Sequence, residues 1–374
     1  MKKSRKVPTV AGRHGLEFFL AVIAVLAVVC AACGSSSSPK LYVVGLGFAD
    51  VQSFSISGSG ALTADTTVTG VGGQPTAMLV TRHHAYVLNS ASPSQPGSIS
   101  ELNIGGKGDL SAARTATALS NTNLSATPPA TGLTPLAMAI DPANKFVFVP
   151  NQGSNTISVF QVDSGTGLLT EVSGSPFTTG AAPTGVAATS SAIIVSNQGA
   201  GTVSVYTFDD KGKLSLAGTP VAAGTAPGSV DVDSSGKLVY VADSAGNAVV
   251  AFTLSGSSLT SVAGSPFAAG TTPVFVRVVG SNLFVANAGS NSVSAYSLNT
   301  SSGVLTAASG SPFAAGTAPV SVAAGNSAKT LFVANQGSTN ISAFQIGGGG
   351  ALTAVSGSPF ATLAASPSAL AANN

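Results

Sequence analysis

The sequence predicts an all-β protein, a seven-bladed β-propeller with four antiparallel strands in each blade. Two observations predict it: a strand–turn–strand motif occurs seven times, and the two ends of the chain carry complementary strand fragments. The clearest copies of the motif are Val149–Phe160, Val285–Tyr296 and Phe332–Phe344, and weaker copies lie at Val43–Phe54 and Val87–Leu102. Short strands that recur at a fixed period of tens of residues are typical of propellers and solenoids.

Each repeat unit is 44–48 residues long, with one exception, and carries signals for four strands, A to D. Strand A begins at a proline followed by apolar residues; these prolines are Pro75, Pro135, Pro183, Pro227, Pro273, Pro319 and Pro367. Strand B ends in Asn in most units, and an Asn/Gly-rich turn that tolerates positive φ leads into the alternating strand C. In four units strand D reaches Gly-Ser-Pro-Phe, where the proline is expected to end an outer edge strand.

The ends of the chain predict how the ring closes. Leu41–Val44 has the pattern of strand B, but no strand A precedes it, whereas Pro367–Ala372 has the pattern of a strand A with nothing after it. The C-terminal strand is therefore expected to complete the N-terminal blade, which leaves no open sheet edge at the joint. An open solenoid would need no such matched fragments. The predicted propeller covers residues 40–374.

One interval departs from the period. Pro75 and Pro135 are 60 residues apart, and the excess lies in residues 111–132, a Ser/Thr/Ala/Pro stretch without periodicity. This segment is predicted to be an insert loop between strand D and the next strand A. It would either cover one end of the ring as a lid or form an ordinary surface loop.

Residues 1–32 are predicted to be a bacterial lipoprotein signal peptide. A basic segment precedes the apolar run Phe18–Ala32, which is shorter than the roughly 20 residues of a membrane span and suits a signal-peptide core. Two alanines before Cys33 and a Ser-rich tether over residues 33–39 resemble the lipoprotein pattern, which implies lipidation of Cys33. A plain secretory signal and an uncleaved anchor are the alternatives.

Processing at that point would change the charge and the cysteine count. Removing residues 1–32 takes away five Lys/Arg and Glu17, so the formal net charge changes from +2 to −2. One cysteine remains, and no disulfide can form. The sequence therefore predicts an exported, monomeric envelope lipoprotein, periplasmic or on the outer surface, attached to the membrane by its lipid. Charged residues make up only 7% of the chain, which excludes a nucleic-acid partner.

The hairpins with the pattern Val-x-Asn and the Gly-Ser-Pro-Phe blade ends resemble the YVTN-repeat and lactonase-like seven-bladed propellers. That group includes 6-phosphogluconolactonase and the fungal muconate cycloisomerase. The resemblance covers residues 40–374 and rests on residues that build the blades. It implies the fold and, by analogy alone, hydrolysis of a sugar lactone at the channel mouth. No cofactor is expected.

Few side chains suggest catalysis. Asp231 and Arg277 each lie four residues after a strand-A proline, where the other units carry Leu or Ala. They are expected to form an ion pair between neighbouring blades near the channel, as a structural pair or as a contact to a charged ligand. Arg82, His83 and His84 fall in an A-to-B turn, so they are predicted to lie on the face opposite the usual binding face. No metal site is predicted.

Amides dominate the turns between strands B and C, which should lie on the usual binding face. The candidate ligand-binding residues are Asn151, Gln152, Asn197, Gln198, Asn287, Asn335 and Gln336. Amides suit neutral polar ligands, but the asparagines also suit the turn geometry itself. The sequence favours a binding or scaffold protein for a glycan, a peptide or a protein. A lactonase-type hydrolase, with Arg277 and Asp231 as its candidate catalytic residues, is the alternative.

Overall fold

The structure is a computed structural model that describes residues 39–46, 49–69, 71–90, 94–114, 131–325, 327–362 and 366–373. The predicted signal peptide, Cys33 and most of the predicted insert loop lie outside these residues. Regular structure in the described ranges consists of β-strands and two short 3-10 turns, Gln198–Ala200 and Gly348–Gly350. None of the helical segments in these ranges is long and apolar enough to cross a membrane.

The strands form seven antiparallel sheets, numbered here as blades 1 to 7. Blade 1 contains β1 (Lys40–Gly45), β2 (Asp50–Ile56), β3 (Leu62–Thr69) and the C-terminal strand β32 (Pro367–Asn373). Blade 2 contains β4 (Pro75–Val80), β5 (His84–Asn89), β6 (Ser98–Ile104) and β7 (Leu110–Arg114). Blade 3 contains β8 (Ala139–Ile140), β9 (Phe146–Asn151), β10 (Thr156–Val162), β11 (Leu169–Glu171) and β12 (Phe177–Thr178).

The other four blades follow the same plan. Blade 4 contains β13 (Pro183–Ala188), β14 (Ala192–Asn197), β15 (Thr202–Phe208) and β16 (Leu214–Ala222). Blade 5 contains β17 (Pro227–Val232), β18 (Leu238–Asp243), β19 (Ala248–Ser255), β20 (Ser258–Ser261) and β21 (Phe267–Ala268). Blade 6 contains β22 (Pro273–Val279), β23 (Asn282–Asn287), β24 (Ser292–Leu298), β25 (Leu305–Ala307) and β26 (Phe313–Ala314). Blade 7 contains β27 (Pro319–Gly325), β28 (Thr330–Asn335), β29 (Asn340–Ile346), β30 (Leu352–Ala354) and β31 (Phe360–Ala361).

Ring closure occurs as predicted. β32 pairs antiparallel with β1, with Tyr42 opposite Ala371 and Val43 opposite Leu370, and becomes the inner strand of blade 1. The Ser368 hydroxyl donates to the carbonyl of Pro75 at 2.7 Å, which joins this strand to blade 2. Both ends of the chain therefore contribute to one sheet, and the seven-bladed propeller is confirmed.

The core lies between the blades. Phe146 and Phe148 of blade 3 pack with Val195 and Tyr206 of blade 4, and similar clusters join other neighbouring blades. Each inner sheet is thus covered on both faces, which explains why strands A and B are apolar on both sides rather than alternating.

Strand D differs from expectation in the blades that carry Gly-Ser-Pro-Phe. The edge continues beyond the proline, because Phe177 of the short strand β12 pairs with Ile157 of the same strand C. The Ser175 hydroxyl accepts the Val159 N–H at 3.0 Å. It thus replaces the backbone carbonyl that the edge strand would otherwise offer where its pairing is interrupted. The prediction that the edge strand ends at this proline is therefore wrong: a side chain bridges the gap and the pairing resumes.

Three buried tyrosines fasten neighbouring blades. Each donates its O–H to a glycine carbonyl in the C–D turn of the next blade: Tyr42 to Gly108 at 2.6 Å, Tyr86 to Gly167 at 2.8 Å and Tyr240 to Gly303 at 2.9 Å. Burial raises the pKa of all three phenols above the ordinary value. The neutral, hydrogen-bonded form is thus the one that the fold stabilises.

This arrangement predicts alkaline destabilisation. A folded-state pKa above the unfolded value of about 10 means that the stabilisation is complete below that pH and is lost as the pH rises through the folded-state pKa. We expect the free energy of unfolding, measured with urea, to begin to fall as the pH rises above about 10. Tyr240→Phe should cost about 1 kcal/mol at pH 8 and should reduce this pH dependence. An unchanged slope in the variant would contradict the assignment.

The two faces of the ring differ in charge. We call the face formed by the B–C turns and D–A loops the upper face, and the face formed by the A–B and C–D turns the lower face. Charged turns such as 105–109, 141–145, 209–213 and 233–237 all lie on the lower face. On the upper face, the described turns carry no ionisable side chain, and the strand residues that adjoin them are uncharged except Asp50, Asp243 and Arg114.

Candidate ligand-binding site at the channel mouth

The channel mouth on the upper face is built from a repeated backbone contact. The first residue of a B–C turn donates its N–H to the carbonyl of the residue that precedes a strand-A proline. Gln198 donates to Ala182 at 2.9 Å and Gln336 to Ala318 at 3.0 Å, and Gln152 makes the same contact in blade 3. Because strand A is the innermost strand, this contact places the three glutamines at the rim of the channel.

Two of these glutamines meet. The Gln152 amide nitrogen donates to the Gln198 amide oxygen at 3.4 Å, across the boundary of blades 3 and 4. Gln336 belongs to blade 7, on the opposite side of the ring. Its amide nitrogen is buried and has no hydrogen-bond partner among the described residues. A buried donor left unpaired costs free energy.

The asparagines at the ends of strand B have a different environment. Asn151, Asn197, Asn287 and Asn335 are fully buried, in contrast to the half-buried glutamines beside them. Each donates its side-chain N–H to a serine on strand C, as Asn197 does to Ser204 at 2.9 Å and Asn335 to Ser342 at 2.9 Å. These four amides therefore tie strand B to strand C, and only the glutamines among the predicted binding residues are partly exposed.

Blade 5 has a carboxylate where most of the other blades have asparagine. Asp243 accepts the backbone N–H groups of Thr225 and Ala226, the latter at 2.8 Å. Its charge is thus satisfied by the D–A loop that it supports. Asp50, at the upper end of blade 1, has a raised pKa because burial disfavours its charged form. The chemistry of the rim is therefore dominated by neutral amides, hydroxyls and backbone groups.

The structure brings Asp231 and Arg277 together, as the sequence predicted. Their Oδ2 and Nη1 atoms are 3.9 Å apart, and the residues are only 4% and 6% exposed. The Val278 N–H also donates to Asp231 Oδ2, at 2.8 Å. Burial raises the pKa of Asp231, while Arg277 and the backbone N–H groups oppose this shift. The pair joins β17 to β22 about 13 Å along the strand from the mouth, inside the channel wall.

Arg82 and His83 lie in the A–B turn of blade 2 and His84 begins its strand B, on the lower face, away from the glutamines. The His83 and His84 rings meet edge to face with centroids 6.5 Å apart, and burial lowers the pKa of His84. No set of three or more His, Cys, Asp or Glu side chains is arranged to hold a metal ion within the described ranges.

The rim also has a backbone feature that the sequence did not indicate. In six of the seven blades the residue before the strand-A proline has positive φ; these residues are Gln74, Thr134, Ala182, Thr272, Ala318 and Ser366. None is glycine, and none precedes proline in the extended conformation that sterics favour. The left-handed conformation turns each D–A loop sharply into the inner strand, and such strained positions cluster at functional sites.

Together, these features define a seven-bladed β-propeller whose upper channel mouth is lined by neutral polar groups. The chain belongs to the lactonase family of seven-bladed β-propellers, whose profile matches residues 118–183, 176–278 and 257–361. No curated protein matches the chain at a significant level.

Several solved structures share the fold. A Bacteroides fragilis protein provisionally assigned as a 6-phosphogluconolactonase aligns with a TM-score of 0.76 and 17% identity over 92% of this chain and 100% of its own. A Bacteroides uniformis protein with the same provisional assignment gives 0.76 and 14% over 90% and 99%. The periplasmic gluconolactonase of Pseudomonas aeruginosa gives 0.70 and 16% over 90% and 99%. At these identities the likeness establishes the fold alone.

Proposed function

We propose that this chain is a binding protein of the cell envelope, held there by a lipid on Cys33, and that its channel mouth binds a neutral polyhydroxylated ligand such as a glycan. The observation that carries the proposal is the rim, where Gln152 and Gln198 meet across two blades and Gln336 lies opposite with an unsatisfied donor. Amides can donate and accept hydrogen bonds at once, which matches the hydroxyl groups of a sugar.

Charge supports a neutral ligand. An anionic sugar would require a cationic group at the site, and the described upper-face turns offer none. The only described arginine near the channel, Arg277, already faces Asp231 inside the wall. Residues 39–374 outside the described ranges add no ionisable side chain in the sequence.

The proposal predicts glycan binding that depends on the glutamines. Residues 39–374 should bind neutral oligosaccharides on a glycan array, with affinities confirmed by titration calorimetry. The double variant Gln152→Ala/Gln198→Ala should bind at least about tenfold more weakly, because each lost hydrogen bond contributes on the order of 1 kcal/mol. Gln161→Ala is the matched control, since Gln161 is exposed on β10. Equal affinities for the wild type and the double variant would refute the role of the rim.

Lactone hydrolysis is the second candidate, because the chain belongs to the lactonase family and similar structures carry that name. The same protein should be incubated with gluconolactone and a phosphorylated sugar lactone. Turnover above the spontaneous rate that disappears in Asp231→Asn would make the chain a hydrolase that uses this carboxylate. The burial of Asp231 beside Arg277 argues against that outcome, because the carboxylate is enclosed in the wall.

A further inference from the structure

A groove lies on the outer part of the boundary between blades 3 and 4. Its volume is about 300 Å³. Its walls include Phe177, Thr178 and Thr179 from blade 3 and Tyr206, Leu216 and Pro220 from blade 4. None of the residues that line it is charged. The groove therefore suits a neutral ligand with an apolar surface.

Comparison among the repeats indicates which of these residues the fold does not require. Leu216 lies opposite Tyr206 on strand D and is 55% exposed, which makes it the one exposed large apolar side chain among the residues that the structure describes. The residues opposite the corresponding aromatic side chain in other blades are small or charged, namely Glu171, Ser261, Ala307 and Ala354. Leu216 is thus specific to this groove rather than to the repeat.

The opposite wall shows the same departure from the repeat. Thr178 and Thr179 follow Phe177, whereas Ala268 and Ala269 follow the equivalent phenylalanine of blade 5. Blade 6 likewise has Ala314 and Ala315 there, whereas blade 7 has Ala361 and Thr362, so Thr178 departs from all three blades and Thr179 does not. The Thr179 hydroxyl donates to the Gly180 carbonyl at 3.0 Å, so its oxygen remains able to accept a hydrogen bond. One wall therefore carries the hydroxyl group of Thr178, which these blades lack, and the other wall carries the aliphatic side chain of Leu216.

One loop connects the groove to the channel mouth. Residues 178–182 run from the groove to Ala182, whose carbonyl accepts the Gln198 N–H. Five residues span at most about 17 Å, a distance within reach of an oligosaccharide. An apolar surface edged by hydroxyl groups also matches a pyranose ring, which has an apolar face and polar edges.

We propose that the groove between blades 3 and 4 is an outer subsite that binds a second neutral sugar ring of an oligosaccharide whose other end occupies the channel mouth. Binding of one end of the ligand at the channel mouth rests on the proposed function. Binding of the second sugar ring in the groove rests on Leu216, Thr178 and Thr179. The ligand is then an oligomer rather than a single sugar lactone.

A fluorescent reporter tests the groove directly. The chain contains no tryptophan, so Leu216→Trp places the sole indole in the groove. We expect a saturable change in its emission with neutral hexasaccharides, for which cellohexaose, maltohexaose and chitohexaose are the probes, and none with glucose. Ala307→Trp is the matched control, because Ala307 is the exposed equivalent of Leu216 in blade 6. An equal response of the two tryptophans would overturn the proposal.

Calorimetry on variants without the reporter separates the two halves. Leu216→Ser should weaken hexasaccharide binding by about tenfold, since it removes apolar surface from the contact, and should leave glucose binding unchanged. Hexasaccharide binding that is insensitive to Leu216→Ser but lost in Gln152→Ala/Gln198→Ala would overturn the groove and keep the mouth. The reverse pattern would keep the groove and overturn the proposed mouth. If no probe binds the wild type, both halves fail.

Discussion

A chain shortened to end at Ser366 is expected to lose its cooperative fold. The deletion removes β32, the inner strand of blade 1, in which residues 369–372 are at most 3% exposed. It would expose the edge of β1 and the faces of both neighbouring inner strands. Burial of Leu370 alone contributes about 2 kcal/mol, and the lost ladder and packing add to this, while a whole domain is stable by only about 5–15 kcal/mol.

The measurement is urea denaturation followed by circular dichroism. Size-exclusion chromatography would detect association of the shortened chains through their exposed strand edges. Ser368→Ala is the control that keeps the strand: it removes the hydroxyl bond to Pro75 and should cost about 1 kcal/mol. A synthetic peptide of residues 366–374 should restore folding of the shortened chain, because the missing strand enters the sheet at its inner edge. A shortened chain with the urea midpoint of the full protein would contradict the closure mechanism.

The architecture was predictable because the strand–turn–strand motif occurs seven times in the sequence. Three local signals agree with one another: the proline at the start of strand A, the alternation in strand C and the single strands at the two ends of the chain. A sequence whose local signals agree with the overall architecture specifies one fold. The continuation of the edge beyond Gly-Ser-Pro-Phe was not predictable. It depends on Ser175, whose hydroxyl accepts a backbone N–H from strand C. The sequence shows only that a serine is present, and does not show whether its hydroxyl pairs with a strand or faces solvent.

The glutamines at the rim were predictable from the turns of the repeat, and the ion pair in the channel wall was predictable because its residues break the repeat. Asp231 and Arg277 stood out because other blades carry Ala or Leu at that position. The burial of Asn197 could not be inferred, since an asparagine at a turn can serve the turn, a ligand or a neighbouring strand. Leu216 breaks the repeat as well, but its exposure depends on how blade 3 packs against blade 4, which no local pattern encodes.

The Asp231–Arg277 pair is expected to be a strongly coupled structural contact. Asp231→Ala leaves the Arg277 cation buried without its carboxylate and should destabilise the protein by about 3–5 kcal/mol. The double variant Asp231→Ala/Arg277→Leu should lie within about 1 kcal/mol of the wild type, because it removes both charges. Both new residues occur naturally at this position in other blades, as Ala139 and Leu79 do.

The single variant Arg277→Leu gives the pH test. Without the guanidinium, burial should raise the pKa of Asp231 further, and the carboxyl can become neutral. A raised folded-state pKa confers stability below the unfolded value of about 4, and this stability is lost as the pH rises through the folded-state pKa. Arg277→Leu should therefore be less damaging at pH 5 than at pH 8 in urea denaturation, whereas the double variant should show no such difference. Additive costs of the two single variants, or a pH-independent Arg277→Leu, would mean that the two charges do not support each other in the channel wall.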